Sequence, residues 1–183
     1  MKKKLFGTLF LLSVIGFAFG IVPAFACHKE AIIAYDQDRD GIVETGELCI
    51  WHITVVVANT GDEGIPTHTW TNTIVTDRFG AELELVKDNP SYPITYDRGP
   101  LTFETQGGSN QLRLTWNVGS LAPYERVQAD FYVQTDLNPA GHREYTSPGQ
   151  YIMNSGATVK CIVDGHQASL TMNPIQITVF TPN

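Results

Sequence analysis

A regular alternation of apolar and polar side chains is the feature that most restricts how this chain can fold. Trp51, Ile53, Val55 and Val57 take every second place in one segment, which is the period of a β-strand. The same alternation returns in three later segments, 112–118, 127–134 and 175–179. No window shows a sustained helical period. Turn residues separate the segments, so about eight to ten short strands in an antiparallel, all-β sandwich are predicted.

The N-terminus has the pattern of an export signal. A basic start, Met1 to Lys4, precedes an apolar run that extends to Val22, and Ala24-Phe25-Ala26 is a small-x-small cleavage site. We therefore predict a signal peptide over 1–26, and a secreted protein that is extracellular or at the cell surface. An uncleaved anchor and a lipoprotein modified at Cys27 are the alternatives. No second apolar run is long enough to predict a membrane span in the mature chain.

The charge of the chain excludes several kinds of partner. The whole chain has 12 basic and 19 acidic residues, a net charge of −7, and removal of three lysines with the signal changes this to 9 − 19 = −10. An acidic surface repels phosphate backbones and anionic lipids, so neither nucleic acid nor a membrane surface is an expected partner. The 43% hydrophobic and 17% charged content is that of a folded domain.

The segment 36–47, here called the acidic loop, matches the twelve-residue calcium loop at its diagnostic places. Calcium takes six to eight oxygen ligands, and the loop supplies carboxylates at positions one, three, five, nine and twelve. Gly41 at position six allows the sharp turn, and Val43 at position eight is an apolar residue to bury. The alternative is a solvated acidic turn. The predicted calcium ligands are Asp36, Asp38, Asp40, the Ile42 carbonyl, Glu44 and Glu47.

The flanks of the acidic loop show that it is not part of a helix–loop–helix hand. The apolar stretch 31–35 before it is short and β-like, and the segment after it is a strand. The loop resembles the isolated calcium loops of dockerins and other secreted bacterial proteins. That resemblance implies that the ion fixes a local structure, which here would clamp an N-terminal segment, 27–47, to the first core strand of a sandwich domain, 48–183.

The core resembles the conserved-repeat domain of bacterial and archaeal surface proteins, a domain of unknown function. The most specific match is Trp-Asn-Val-Gly-Ser-Leu-Ala-Pro at 116–123. Further matching segments are 53–61, 74–77, 114–115 and 149–159. The resemblance covers roughly 48–179 and implies an immunoglobulin-like sandwich used as a spacer or assembly unit. The chain departs from the pattern in the turn at 78–83 and in the insertion at 87–108.

Three cysteines, Cys27, Cys49 and Cys161, leave the disulfide pattern open. A Cys27–Cys49 bond would close the N-terminal segment, and a Cys49–Cys161 bond would tie the first core strand to a late one. The alternation places Cys49 and Cys161 on inward phases, which slightly favours the second pairing. A spare thiol could instead link two subunits, or stay as a free, buried cysteine.

The favoured function is a secreted, calcium-binding structural protein that assembles into an extracellular filament, sheath or matrix. The expected partner is a second copy, in a homo-oligomer or homopolymer, with the stretch 31–35 added as a donor strand to a neighbour's sheet edge. Pairing of that stretch within its own sheet is the equal alternative. The second function is an adhesin, or a module that binds carbohydrate or protein. Its contacts would come from Trp70 and from tyrosines near loops, Tyr92, Tyr96, Tyr124 and Tyr145.

An enzyme is not expected from the residues present. No serine has a Gly-x-Ser-x-Gly setting, and the five histidines are scattered. Cys27 and His28 could hold a soft metal at a free N-terminus. A covalent Lys–Asn cross-link, as in some wall adhesins, is a further idea for Lys29, Lys87 or Lys160, but no residue spacing points to one of them.

Overall fold

The structure is a computed structural model, which describes residues 27–61, 64–135 and 145–182. The predicted signal peptide, 1–26, lies outside the described residues. The described part consists of strands and turns, and no helix in it is long and apolar enough to cross a membrane. The strands are β1 His28–Asp36, β2 Val43–Glu44, β3 Cys49–Ala58, β4 Trp70–Arg78, β5 Leu83–Leu85, β6 Thr95–Tyr96, β7 Leu101–Thr105, β8 Leu112–Leu121, β9 Arg126–Thr135, β10 Gly149–Asn154, β11 Thr158–Val163, β12 His166–Thr171 and β13 Ile175–Phe180.

Two five-stranded antiparallel sheets form the sandwich. The first sheet has the order β1-β3-β9-β5, with β6 also paired to β9. The second has the order β12-β11-β4-β8-β7. The prediction of an all-β antiparallel sandwich is therefore confirmed. The strand number exceeds the expected eight to ten because three pieces, β2, β5 and β6, are only two or three residues long.

The strand order is immunoglobulin-like. β1, β3, β9 and β5 occupy the places of strands A, B, E and D in that architecture, and β4, β11 and β12 occupy those of C, F and G. The β7–β8 hairpin extends the second sheet beyond β4, as two added strands do in variable-type domains. The insertion that departs from the sequence resemblance supplies β6 and β7, so it widens both sheets.

A small third sheet, of order β10-β13-β2, lies at the end of the sandwich that carries the acidic loop. β10 and β13 are antiparallel, whereas β2 runs parallel to β13 through the pairs Val43↔Val179 and Glu44↔Phe180. The acidic loop is therefore attached to β13 as well as to β1 and β3, which flank it.

Aromatic side chains join the two large sheets. Phe131 of β9 lies edge-on to Phe79, at 5.8 Å between ring centroids, and to Phe103 of β7, at 5.0 Å. All three tryptophans are buried, and two of them donate to backbone oxygens, Trp70 to Pro66 at 2.9 Å and Trp116 to Arg98 at 2.7 Å. Trp70 is thus a core residue and not an exposed contact.

A prediction for stability concerns Gly99, which has a φ of +68° beside β8. A Cβ at this position would overlap the backbone oxygen of Asn117, so Gly99→Ala should lower the free energy of unfolding by at least about 1–3 kcal/mol. Gly107→Ala is the matched control, because a Cβ there meets nothing within 4 Å. Urea unfolding of both variants measures the difference, and equal stabilities would contradict this account of the turn.

Candidate metal site

The acidic loop is closed by the antiparallel pairing of β1 and β3. Asp36, the last residue of β1, pairs with Cys49, the first residue of β3. This pairing brings the two ends of the loop together, so the carboxylates of Asp36 and Glu47 lie side by side. Both residues are buried, at 5% and 8% exposure, which is unusual for carboxylates in a surface loop.

The first half of the loop is curved by hydrogen bonds from its own backbone to its aspartates. Asp36 accepts from the backbone N–H of Arg39 at 3.3 Å and of Gly41 at 2.6 Å. Asp38 accepts from Asp40 N–H at 3.2 Å, and Asp40 accepts from Ile42 N–H at 2.7 Å. Gly41 has a φ of +79°, which a side chain would disfavour. As a result, carboxylate oxygens of Asp36, Asp38 and Asp40 lie within 4.8 Å of one another.

Glu47 closes the loop from its other end. Its Oε1 accepts from Gln37 N–H at 2.9 Å, and its Oε2 accepts from Glu44 N–H at 3.0 Å. The Cys49 thiol also donates to Oε2, at 3.4 Å. Ligand atoms of Asp36, Glu47 and Cys49 form a second group within 4.8 Å, which shares Asp36 with the first.

The two buried carboxyl groups, Asp36 and Glu47, shift each other's pKa in opposite directions. Burial raises the pKa of Glu47 above its ordinary value, and its hydrogen bond with Asp36 raises it further. The same hydrogen bond from Glu47 lowers the pKa of Asp36. The ionisation of one carboxyl group therefore depends on that of the other, because two negative charges at this distance repel each other. A bound cation would stabilise the same arrangement of oxygens with both groups ionised.

The chemistry of the donor set favours a hard cation. Burial raises the pKa of the Cys49 thiol, and the negative charge of Glu47 raises it further, so Cys49 stays protonated and is a poor metal ligand. The remaining donors are carboxylate oxygens, which suit calcium and not the soft metals that thiolates bind.

The structure brings four of the six predicted ligands together and leaves the other two outside these groups. It gathers Asp36, Asp38 and Asp40, and it joins Glu47 to them through Asp36. Ile42 and Glu44 are not part of either group of side chains, although Ile42 was predicted to act only through its carbonyl. The Cys49 thiol is a neighbour of Glu47 that the loop pattern does not include. Its inward alternation phase was the only sequence signal for it.

Backbone and side-chain hydrogen bonds fix the second half of the acidic loop. Thr45 N–H donates to Phe180 O at 2.9 Å, which continues the pairing of β2 with β13. Gly46 N–H donates to Tyr145 O at 2.9 Å. The Thr135 hydroxyl at the end of β9 donates to Glu47 O at 3.0 Å. Strands from the first sheet and the third sheet therefore hold the loop between them.

Neither of the two disulfide pairings considered from the sequence is formed. The thiols of Cys49 and Cys161 are free and buried, on β3 and β11, which belong to different sheets. Cys27 Sγ instead lies against the backbone of Ala58, at 3.3 Å from its nitrogen and 3.4 Å from its oxygen, and so extends the pairing of β1 with β3.

The aromatic residues considered for ligand contacts separate into buried and exposed ones. Tyr145 is buried at 1% exposure and lies edge-on to Tyr151, so it is a core residue. Tyr92 packs on Tyr132 at 5.0 Å between ring centroids. Tyr96 and Tyr124 are exposed, at 47% and 72%.

No protein-family model and no curated protein sequence matches the chain. Among solved structures, it is similar to a GH20 exo-β-N-acetylglucosaminidase from Vibrio harveyi, with 16% identity and a TM-score of 0.44 over 86% of this chain. The chain spans 19% of the length of that enzyme. It is also similar to the major pilin SpaD from Corynebacterium diphtheriae, with 12% identity and a TM-score of 0.47, over 82% of this chain and 34% of the pilin.

A third similar structure is BcpA, the major pilin subunit of Bacillus cereus, with 9% identity and a TM-score of 0.40. The match covers 83% of this chain and 40% of that pilin. Likeness of this degree carries no inference about activity or partners.

If the acidic loop binds calcium, the ion should stabilise the folded chain. Binding to the native state alone adds about 2.7 kcal/mol at a hundredfold excess over Kd, which corresponds to a rise in Tm of roughly 5–10 °C for a domain of this size. Asp36→Asn should remove most of this rise, whereas Asp88→Asn, an exposed site outside the loop, should keep it. Calorimetry with calcium and then with chelator measures the effect. Equal melting temperatures under both conditions would exclude the calcium site.

The cysteines provide a separate prediction. Since Cys49 and Cys161 are buried in the folded chain, they should react with a thiol reagent only after unfolding. Complete denaturation without reductant should release all three thiols of the chain. A spectrophotometric thiol assay checks both points, and a deficit of two thiols in the denatured protein would show a disulfide.

Proposed function

We propose that this protein is a calcium-stabilised structural subunit, secreted to the cell surface, where copies associate into a filament, sheath or matrix. The proposal rests on the position of β1 at the edge of the first sheet. It is an edge strand of nine residues, and it ends in the acidic loop that also binds the last strand of the chain. An exposed sheet edge of this length is a template for pairing with another chain.

The outer side of β1 has few features that would prevent such pairing. Ile32 is 58% exposed in the middle of the strand, and Ala34 is exposed next to it. Glu30 is the one charged residue of β1 that faces solvent before the acidic loop begins. The strand contains no proline, and its single irregularity lies between Ile33 and Tyr35. Edge strands that avoid association are usually shorter or carry more charge.

An apolar groove next to β1 offers a place for side chains of an added strand. Its volume is about 310 Å³, and it lies between the inner side of β1, the acidic loop and β13. Residues that line it include Ala31, Ile33, Ile42, Ile175 and Phe180. Phe180 is 51% exposed and Ile42 is 40% exposed, so a second copy that covered the groove would remove apolar surface from water.

Two routes lead from this edge to a homopolymer. In the first, a strand of a second copy pairs with the open side of β1. In the second, β1 leaves its own sheet and pairs with β3 of a neighbour, which is the donor-strand mode. Because β1 pairs with β3 of its own chain in this structure, the second route would be a domain swap that reproduces the same eight residue pairs between two chains.

Calcium would act in either route by fixing the end of β1. The ion would hold the carboxylates at the junction of β1 and β3, while β2 holds the loop against β13. This arrangement keeps the groove and the edge in one geometry, so assembly would be strongest with calcium present. In chelator, repulsion among the loop carboxylates would loosen the same junction.

The second candidate function is a binding module, an adhesin for carbohydrate or protein. The exposed rings of Tyr96 and Tyr124 favour it, because exposed aromatics are common at recognition sites. They are separate in the chain, on β6 and in the turn between β8 and β9.

Light scattering on residues 27–183, with calcium and then with chelator, tests the assembly. We expect large species with calcium that become smaller when it is removed. Large species that survive chelation would indicate strand pairing that does not need the ion. A monomer in both conditions would contradict assembly and favour the binding module.

The variant Ile32→Glu tests whether the edge of β1 is the interface. A charge in the middle of this edge should reduce the fraction of assembled protein at least tenfold, because association would bury it without a partner. Ile152→Glu is the matched control, since Ile152 has the same 58% exposure but lies on β10 of the third sheet. Equal loss of assembly in both variants would place the interface elsewhere.

A further inference from the structure

A buried ion pair joins the two large sheets. Lys29 of β1 points inward, and its Nζ lies 3.0 Å from Oδ2 of Asp77 on β4. Both side chains have no exposed surface. Charged side chains are seldom fully buried, and replacing such a pair by apolar residues is often neutral or stabilising. Stability alone therefore does not account for this ion pair in a largely apolar core.

A buried asparagine completes the group. Asn154, the last residue of β10, is fully buried and forms a bridge with Phe79, two residues after Asp77. Its side chain is close enough to Asp77 to favour the charged form of that carboxyl. Its Nδ2, however, has no hydrogen-bond partner of good geometry among the described residues. A buried amide nitrogen without a partner is costly and rare in native proteins.

The carbonyl of the same amide is polarised. Oδ1 of Asn154 accepts a hydrogen bond of 2.8 Å from the backbone N–H of Gly156. A fixed backbone donor at this place stabilises negative charge that develops on the oxygen when a nucleophile attacks the carbonyl carbon. The buried group thus consists of an amine, a carboxyl group and an amide with an activated carbonyl.

We propose that Lys29 and Asn154 become joined by an intramolecular isopeptide bond, with Asp77 as the catalytic acid and base. This inference is independent of the proposed function, because it rests on core residues and not on the sheet edge or the acidic loop. It selects Lys29 from the three lysines that the sequence left open. The other two, Lys87 and Lys160, are exposed.

The reaction balances without any co-reactant. Asp77 first takes a proton from the Lys29 ammonium, and the neutral Nζ attacks Cγ of Asn154, so a C–N bond forms. The carboxyl of Asp77 then passes a proton to Nδ2, the Cγ–Nδ2 bond breaks, and ammonia leaves. The products are an amide between Nζ and Cγ and one ammonia, which departs as ammonium after taking up the remaining proton.

The surroundings favour each step. Burial lowers the pKa of Lys29 and raises the pKa of Asp77, so proton transfer from the amine to the carboxyl is easier than in water. Proton exchange by a positioned carboxyl lowers the barrier to both attack and departure. An open cleft of about 340 Å³ is lined by Asp77, Ser155 and Gly156, and it offers a path for ammonia from the core to solvent.

The bond would have a mechanical consequence. It would link β1 covalently to β10, and thus join the first sheet to the third by a bond that reduction cannot break. A pull on the N-terminal strand would then act on a closed covalent loop and not on the hydrogen bonds of β1 alone.

Tryptic peptide mapping by mass spectrometry of the purified full chain tests the proposal. Expected is one cross-linked species that contains the peptides of Lys29 and Asn154, with a total mass about 17 Da below their sum because one ammonia is lost. Trypsin should not cut after Lys29, since an acylated lysine is not a substrate. Recovery of both peptides unlinked and at their sequence masses would overturn the proposal. Loss of about 17 Da within the Asn154 peptide alone would also overturn it, as this is succinimide formation.

Two variants identify the role of Asp77. Asp77→Asn keeps the shape of the side chain but cannot exchange protons, so the cross-linked species should fall at least a hundredfold while circular dichroism stays that of a β-protein. Lys160→Arg is the matched control and should retain the cross-link. Undiminished cross-linking in Asp77→Asn would exclude Asp77 as the catalytic group. The wild-type map decides whether the bond exists even if the variant does not fold.

Discussion

The rest of the structure depends on the burial of β3 between two neighbouring strands and under the opposite sheet. Nine of its ten residues are buried, and it pairs with β1 on one side and β9 on the other. A strand with this composition cannot lie at a surface without a large hydrophobic cost. Its position therefore determines that β1 is an edge strand, that the acidic loop is a hairpin connection, and that Lys29 points inward.

The buried side chain of Asn59 joins two short sequence motifs that are far apart in the chain. Nδ2 of Asn59, which follows β3, contacts the backbone oxygens of His68, Leu121 and Ala122. The turn after β3 and the end of β8 are thus joined by a single amide. This contact ties the Asn-Thr-Gly turn at 59–61 to the Leu-Ala-Pro run at 121–123.

The candidate metal site and the buried amine–carboxyl–amide group use opposite ends of the same strand. Asp36 is the last residue of β1 and the first residue of the acidic loop, whereas Lys29 lies near the start of β1 within the core. Both places concentrate ionisable groups out of water, where their pKa values depart from ordinary values. A strand anchored at both ends is suited to a subunit that carries load, which is the reason the two proposals are compatible.

The sequence alone determined the fold class, the inward face of the main strands and the residues of the acidic loop. These features are local: a period of two and a fixed spacing within twelve residues are visible without any knowledge of distant contacts. The sequence could not determine the partner of β1, the pairing of the loop with β13, or the small strands of the insertion. The pairing of edge strands and short strands depends on contacts with residues far along the chain. Lys29, Asp77 and Asn154 show the same limit. Lys29 and Asp77 lie on inward phases of their strands, whereas Asn154 is buried only where the pairing of β10 becomes irregular. The three residues come from three different sheets, so only the packing of those sheets brings them together.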